Sequence, residues 1–507
     1  MDDTQCSRQL ELFEVNRQQV TVTFDGEQIV SDAGLLPIRQ LDQELGILAE
    51  AARRLPDPRS QLFVTHSAER IITQQVYQIL AGYPDGNDAQ LLRDDPLFKT
   101  IAGIDPREET SLASGSTINR FQHAFTRREA EKPIEERDVI FEVRRAQTER
   151  ITAMNDFLVD VFVRTRKQPL KSIIIDLDPT DDPTHGKQQL SLFHGYYKQH
   201  QYFPMMIFEG NTGMPLGAWL RPGTVHASCG AVDMLRSIVQ RLKQHWPEVE
   251  ISVRGDGGLG SPEMYEYCEA EELKYAFGYS ANARLTRMVR ENELEENARL
   301  LWWKTGQQPF QLFHSFEDYA ADSWPHARRI ITKVEITKTG GSNIRYVVTN
   351  MTGHSRDIYH GFYTQRGNVP ERPIGELKNG LHMDRLSSHR FLANAHKLQV
   401  HVLAYLLYAL FREANAEVPE LSKMEVGTAR TQLFKAGAKV KATHRRIWFK
   451  IANHWPGAKL LTQAVDAVTG YVQEIQQIWR SQNLYIKSLY IDSEDRSRIH
   501  FAPLPLK

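Results

Sequence analysis

The stretch "IDLDPTDDPTHG", residues 175–186, crowds four carboxylates (Asp176, Asp178, Asp181 and Asp182) and one histidine, His185, into twelve residues. It grows out of an apolar run, "SIIIDLD", that reads as a strand buried on both faces. Like charges repel, and burying even one is costly unless something pairs with it. Either the cluster is a solvated loop or it holds a cation. Side chains alternate along a strand, so Asp176 and Asp178 share a face. That face ends at the carboxyl edge, where α/β sheets bind their ligands. Two hard oxygen donors there suit Mg²⁺ or Mn²⁺, which need few protein carboxylates. The Asp-Pro dipeptides of "DPTDDP" suit an Asp-rich turn equally well.

Two further places carry the same kind of residue. Asp256 closes a second apolar strand, "VEISVRGDGG", and Gly255, Gly257 and Gly258 leave room for close backbone approach beside it. The full spacing of a phosphate-cradling glycine loop is absent, and a plain strand-to-helix turn is the alternative. In "YTQRGNVPERPIGELK", Pro370 can open a helix. At about 100° per residue, Glu371 and Lys378 lie on one helical face, and Glu376 points about 140° away from Glu371. Glu371 and Lys378 are either a surface ion pair or a metal ligand beside a phosphate contact. Jointly the order is strand-end Asp, strand-end Asp, helix Glu. Three such carboxylates can hold two divalent ions about 4 Å apart, the arrangement that serves phosphodiester displacement.

The elements that must position these residues are legible from Lys171 onward. "SIIIDLD", the hairpin "YFPMMIFEG"/"PLGAWLRPG", the helix "GAVDMLRSIVQRLKQHW", "VEISVRGDGG", the helix "SPEMYEYCEAEEL" and the strand "KYAFGYS" follow one another. Ser261 and Pro262 are the expected cap and first residue of the second helix. This β, β, β, α, β, α, β order predicts a mixed α/β sheet. Upstream, "LPIRQLDQELGILAEAARRL" and "ERIITQQVYQILAGY" have helical apolar spacing. "QVTVTF" and "EQIV" read as early strands, and Ser116 as the cap of a helix in "ASGSTINRFQHAF". Downstream, "RLLWWKTGQQPFQLF" and "ARRIITKVEITKTGGSNIRYVVTNM" read as β-rich. "VPERPIGELKNGLHMDRL" reads as helix, and "HRFLANAHKLQVHVLAYLLYALFREA" as a long buried one.

At 507 residues the chain is too long for one core. A net charge of -1 gives no global sign of a polyanion partner, so any basic surface is local. The basic segment "AKVKATHRRIWFK", with Arg445 and Arg446, is the strongest candidate. It tracks a phosphate backbone or is a solvated charged strand. Cys6, Cys229 and Cys268 lie too far apart for a disulfide framework or zinc spacing, which points to a reducing cytoplasm. The first residues lack the pattern of a signal peptide. "LQVHVLAYLLYALF" is too short to cross a bilayer.

These motifs together resemble the DDE transposases of bacterial insertion sequences, in the group whose final motif is Tyr-x2-Arg-x3-Glu-x6-Lys. Within that group the chain is most similar to the insertion-sequence family called thirteen-eighty. The match is carried by "IDLDPTDDPTHGKQQLSLFHGYYKQHQYFPMMIFEG", "VRGDGG" and "YTQRGNVPERPIGELKNGLHMDRLSSHRFLAN". The resemblance implies an α/β fold: an RNase H-like catalytic core with a β-rich insertion, behind a mainly helical N-terminal region. It implies Asp178, Asp256 and Glu371 as catalytic, metal-holding residues. Asp178 is preferred to Asp176 because Pro179 and Thr180 continue the family's pattern. Tyr363, Arg366 and Lys378 are then DNA contacts near the scissile bond, a role suited to cationic side chains. Four residues, not three, separate Arg366 from Glu371, which leaves Glu376 as a rival.

The organisation expected from this is a helical region over 1–168 that binds terminal repeats, a catalytic domain in two parts over 169–279 and 354–415, a β-rich insertion over 280–353, and a basic region over 416–507 for DNA contact or dimerisation. The expected activity is binding of an element's terminal inverted repeats, cleavage at its ends, and joining of the 3′ ends to target DNA. Mg²⁺ is the expected cofactor, with Mn²⁺ as a substitute. A metal-dependent DNA endonuclease that cuts without joining is the alternative. Double-stranded DNA and a second copy of the chain are the expected partners, in the cytoplasm at the bacterial nucleoid and not in a membrane. Trp302 and Trp303 either stack on a distorted base or pack as core. Asp181, Asp182 and His185 are expected to shape the loop beside the site, and Asp176 to support Asp178 or replace it.

Overall fold

The computed structural model describes residues 10–23, 27–55, 57, 59–124, 139–367 and 371–481; the side chains of 139–150 and of Glu371 are outside that description. Leu10–Val15 (β1) and Gln18–Val22 (β2) form a hairpin, and Ile29–Val30 (β3) follows. Leu36–Leu45 (α1) and Ile47–Arg54 (α2) are two helices where the apolar spacing suggests one. Gly46, at φ 64°, turns left-handed between them. Ala68–Ala81 (α3), Asp88–Leu92 (α4), Pro96–Ile101 (α5), Gly115–Ala124 (α6) and Val139–Arg164 (α7) complete the helical region. The hydroxyl of Ser114, not Ser116, accepts from the Thr117 N–H at the start of α6. The charged segment 126–138 between α6 and α7 lies outside the described residues, as does Cys6.

The sheet begins with Ser172–Pro179 (β4). Then come Asp182–Pro183 (β5), Leu192–His194 (β6), Gln199–Tyr202 (β7), Met205–Glu209 (β8) and Pro215–Trp219 (β9). Ala231–His245 (α8), Glu250–Gly255 (β10), Pro262–Ala270 (α9) and Lys274–Tyr279 (β11) follow. Ser261 caps α9 through the Met264 N–H, with Pro262 in the first turn, as expected. The next residues correct the sequence reading. Ala283–Glu291 (α10) and Leu294–Thr305 (α11) are helices, so "RLLWWKT" is helical rather than β. Phe310–Tyr319 (β12), Arg328–Ile336 (β13) and Ser342–Thr349 (β14) are strands, but they do not form a sheet of their own. β14 pairs with β11, so one eight-stranded sheet runs β12-β13-β14-β11-β10-β4-β8-β9. β4, β10 and β11 are parallel to one another, and every other neighbour is antiparallel.

Every residue of β8 and β9 is buried. α7 and the long helix Phe391–Ala414 both pack on β9. Between β14 and that helix stand Glu371–Gly375 (α12), which makes Phe391–Ala414 α13. α13 is apolar almost all round, the pattern of a helix that belongs inside a core. At the edge strand β9, Asn155 accepts from the Ala218 N–H (3.0 Å) and Gln399 donates to the Ala218 carbonyl (2.7 Å). Backbone groups that would otherwise recruit another strand are thereby satisfied. Pro419–Ser422 (α14) and Val426–Ala429 (α15) lead to Ala438–Ala442 (β15) and Ile447–Ile451 (β16), and Ala458–Ser481 (α16) closes the described chain. β15 pairs with β3, so the basic segment is a hairpin on the N-terminal region. Among the described residues no helix is long and apolar enough to cross a membrane.

Candidate active site

The acidic residues separate into two pairs. β4 and β10 run parallel with Arg254 opposite Asp176 and Gly255 opposite Leu177. Asp256 follows just past the end of β10, and Asp178 is the last residue but one of β4. Alternation puts Asp176 and Asp178 on one face, and the register sets Arg254 beside Asp176, with neighbouring strands about 4.8 Å apart. The first pair is closed. Arg254 is 1% exposed and donates from Nε and Nη2 to the two Asp176 carboxylate oxygens, both at 2.6 Å. Burial lifts the Asp176 carboxyl above its usual range, and the Arg254 guanidinium opposes that lift. Arg254 also donates to the Phe362 carbonyl (2.8 Å) and lies 5.3 Å from the Phe362 ring centre. Asp176 is therefore committed to a buried ion pair.

The second pair lies at the strand ends. Asp178 and Asp256 are both half-buried at the carboxyl ends of their strands. Asp256 Oδ1 accepts from the Gly258 N–H (3.0 Å), which fixes the turn after β10. Over this face lies a wide turn, Asp357–Phe362, continued by a tight one, Tyr363–Gly367. The carbonyl that Arg254 holds is the last of the wide turn, so the Asp176–Arg254 pair anchors the segment carrying Tyr363 and Arg366. Tyr363 packs on the end of β11: a Cβ on Gly278 would lie 2.7 Å from its hydroxyl. The Arg366 guanidinium is 5.7 Å from the Tyr363 ring centre. Burial opposes its charge, but Tyr363, Asp178 and Asp256 outweigh burial and hold its pKa above the ordinary value. Arg366 thus lies in the electrostatic field of both carboxylates. A second buried cation, Arg221, donates to the Phe203, Ala227 and Cys229 carbonyls. Burial pushes it down to about 10, against the pull of Cys229 and Asp256.

Glu371 is the first residue of α12, and its side chain lies outside the described residues, as do 368–370. The helical-face arithmetic fails past Gly375, because Glu376–Gly380 winds as a wide π-type turn. Glu376 is 5% exposed, and its Oε1 accepts from Arg412 of α13 at 2.9 Å. Lys378 donates to Asp181 Oδ1 at 2.7 Å, and Gln199 donates to Asp181 Oδ2 at 3.0 Å. Burial would raise the Asp181 carboxyl, but Lys378 holds it below the usual range. Asp182 is wholly buried, and neither oxygen has a hydrogen-bond partner among the described residues. Burial pushes its pKa well up, with Asp384 adding to the effect. His185 is exposed.

Arg445 and Arg446 stand exposed in the β15–β16 turn, closed by the Thr443 N–H to the Arg446 carbonyl at 2.8 Å. Trp302 packs partly buried against the core, while Trp303 is 80% exposed. A groove of 680 Å³ begins at Gly257 and Gly278, passes Tyr363 and Arg366, and reaches Lys333 and Arg345 on the β13–β14 ladder. Among the described residues no three His, Cys, Asp or Glu side chains gather to hold a metal ion. Asp178 and Asp256 supply opposed hard oxygen donors that fit such an ion, and Glu371 is the remaining member of the expected set. Sequence reasoning passed over Arg254 and Arg221. A lone arginine inside the apolar run "ISVRG" was a usable sign, since a charge buried in a sheet demands a partner.

A family model described as transposase DDE domain group 1 matches residues 13–472. Nothing matches among curated proteins. Among solved structures, a cryo-EM structure of the piggyBac transposase synaptic complex with hairpin DNA is similar, at 10% identity over 92% of this chain and 87% of that one, with a TM-score of 0.40.

Proposed function

The chain belongs to the DDE transposase family of group 1 and is a transposase that acts on DNA; from that premise we propose that it cuts the terminal inverted repeats of a bacterial insertion sequence, of the kind called thirteen-eighty, and joins the 3′ ends to target DNA. The observation that carries this is the placement of Asp178 and Asp256, half-buried at the carboxyl ends of neighbouring parallel strands with Arg366 in the electrostatic field of both. The core is RNase H-like, a reading supported by the consecutive strands β9-β8-β4-β10-β11 that make up one end of the sheet. The proposed β-rich insertion is α10 to β14, which lengthens that sheet.

Asp178, Asp256 and Glu371 hold the cofactor, Mg²⁺ or in its place Mn²⁺. When bound, such ions activate the attacking water or 3′-hydroxyl and stabilise the leaving oxygen. The chain's own groups do the positioning. Arg366 balances the two carboxylates and offers a planar donor to a scissile phosphate. Tyr363 shapes the wall beside it. Lys378 stands by the end of β4, where a phosphate competes with Asp181 for its ammonium. Arg445 and Arg446 take the DNA backbone further out. Two copies of the chain pair two DNA ends, in the cytoplasm at the nucleoid.

The test uses duplexes made from the DNA that flanks the reading frame. Wild-type protein with Mg²⁺ should nick at the repeat ends and yield products joined to a target duplex. Asp256→Ala should do neither. Cleavage without any joined product would make the protein an endonuclease of the same fold. Cleavage by Asp256→Ala at the wild-type rate would remove the site assignment.

A further inference from the structure

The chemistry above makes no use of the chain from β5 to β8. There the backbone leaves the large sheet and folds into a small one, β5-β7-β6. Its base is firmly held. The Tyr202 hydroxyl donates to the Gln189 carbonyl (2.9 Å) and accepts from Asn394 of α13 (3.1 Å). The Gln189 N–H donates to the His389 carbonyl (3.0 Å). Its outer end is different. Phe193 is 53% and Tyr196 83% exposed, and Leu192 and Tyr197 beside them are exposed as well. The rings brace one another: Tyr196 and Tyr197 stand edge-to-face at 5.0 Å, and Phe193 meets His200 at 5.5 Å. Contiguous apolar surface of this kind marks an interaction site.

Position and charge indicate what covers it. Gln199, at the start of β7, hydrogen-bonds the carboxylate that also holds Lys378. The Tyr197 phenol is raised first by burial and then by Asp181, Tyr196, Asp256 and Asp178, so it stands within electrostatic reach of both strand-end carboxylates. Residues 183–208 contain no Asp or Glu, but they contain Lys187, Lys198 and three histidines. Both lysines are exposed. An aromatic tip with a cationic surround, at the mouth of a site that takes DNA, suits bases stacked on rings with phosphates alongside. Ring faces reach only bases that are free of the duplex stack, so the occupant is an unpaired end.

We propose that the β6–β7 hairpin is a stacking platform for the unpaired terminal bases of the DNA end being processed, with Tyr196 and Phe193 against the base faces. The inference rests on the transposase reading and adds to it the contact that orders the end. The probe is a duplex of the flanking repeat with a three-nucleotide single-stranded end carrying 2-aminopurine, titrated with full-length protein. Wild type and Tyr196→Phe should quench the fluorophore. Tyr196→Ala and Phe193→Ala should bind about 5- to 150-fold more weakly, the equivalent of one lost stacked base. On a blunt duplex the variants should match wild type. Both residues are exposed, so the variants keep the wild-type circular dichroism spectrum. Unchanged affinity and quenching in both alanine variants, with cleavage still abolished by Asp256→Ala, overturns the platform and leaves the transposase reading intact. Loss of self-association with unchanged quenching also overturns it, by assigning the surface to a second copy of the chain. Absence of cleavage and of end binding in wild type overturns both.

Discussion

Substituting Arg254 by methionine should cost both stability and activity, and a second substitution should return only the first. Arg254 is 1% exposed and spends three nitrogens on Asp176 and the Phe362 carbonyl. Arg254→Met leaves Asp176, itself 1% exposed, as a buried charge without its partner. Breaking a buried pair from one side costs about 3–5 kcal/mol. Replacing both members with apolar residues of similar volume is often neutral or stabilising. Asp176→Leu with Arg254→Met should therefore recover most of the thermal midpoint. It cannot restore the donor to the Phe362 carbonyl, so the turn bearing Tyr363 and Arg366 stays unanchored. Misplacement of such a group by about 1 Å costs on the order of 100-fold in rate. The assay is calorimetric unfolding of the wild type and the single and double variants, alongside repeat-end cleavage. An Arg254→Met midpoint equal to wild type would refute the buried-pair argument. A double variant that regained full cleavage would refute the anchoring role.

Asp178→Asn should lose cleavage while keeping a cooperative thermal transition, because it removes a hard oxygen donor with little change of volume; thermal melts and cleavage on one preparation check this. Asp182→Asn should stabilise the protein increasingly as pH rises. The folded state binds that proton more tightly than the unfolded chain, whose value is near 3.8, so wild-type stability falls as pH rises from there through the raised folded value. Midpoints at pH 5 and pH 8.5 should show the larger gain at pH 8.5. Lys378→Ala should make the salt dependence of DNA binding shallower by about 0.9 in log K against log salt. Asp181→Asn should tighten DNA binding instead, since it removes the competitor for that ammonium.

The strand ends were legible because a continuous apolar run announces a buried strand, and "SIIIDLD" and "ISVRG" both became one. That Asp176 is the one held by Arg254 was not legible from position alone. Asp176 and Asp178 share a face, and the pairing depends on the register with a strand 78 residues away. The family pattern favoured Asp178 on its own grounds, the Pro179 and Thr180 that follow it. The error at α11 came from weighing "LLWW" over the helix signals around it: Glu295 and Glu296 in the first turn and Gly306 at the end. The facing of Lys378 on Glu371 was computed for a regular helix, which a π-type turn at Glu376–Gly380 breaks. Gly380 presses on Val426, a contact set by residues far along the chain. Nor could spacing reveal that Asp181 reaches Lys378 across 197 residues. No spacing argument reached the tip of the β6–β7 hairpin, whose exposure of Phe193 and Tyr196 only the fold shows.

The most direct test of the metal-holding carboxylates is the ion dependence of cleavage by Asp178→Cys, Asp256→Cys and Glu371→Cys. A thiolate is a poor ligand for Mg²⁺ and a better one for the softer Mn²⁺. Wild type should cut the repeat ends with either ion, while each cysteine variant should be inactive with Mg²⁺ and regain cleavage with Mn²⁺. Cysteine variants that cut as well as wild type in Mg²⁺, or wild-type cleavage that persists in chelator, would contradict the assignment.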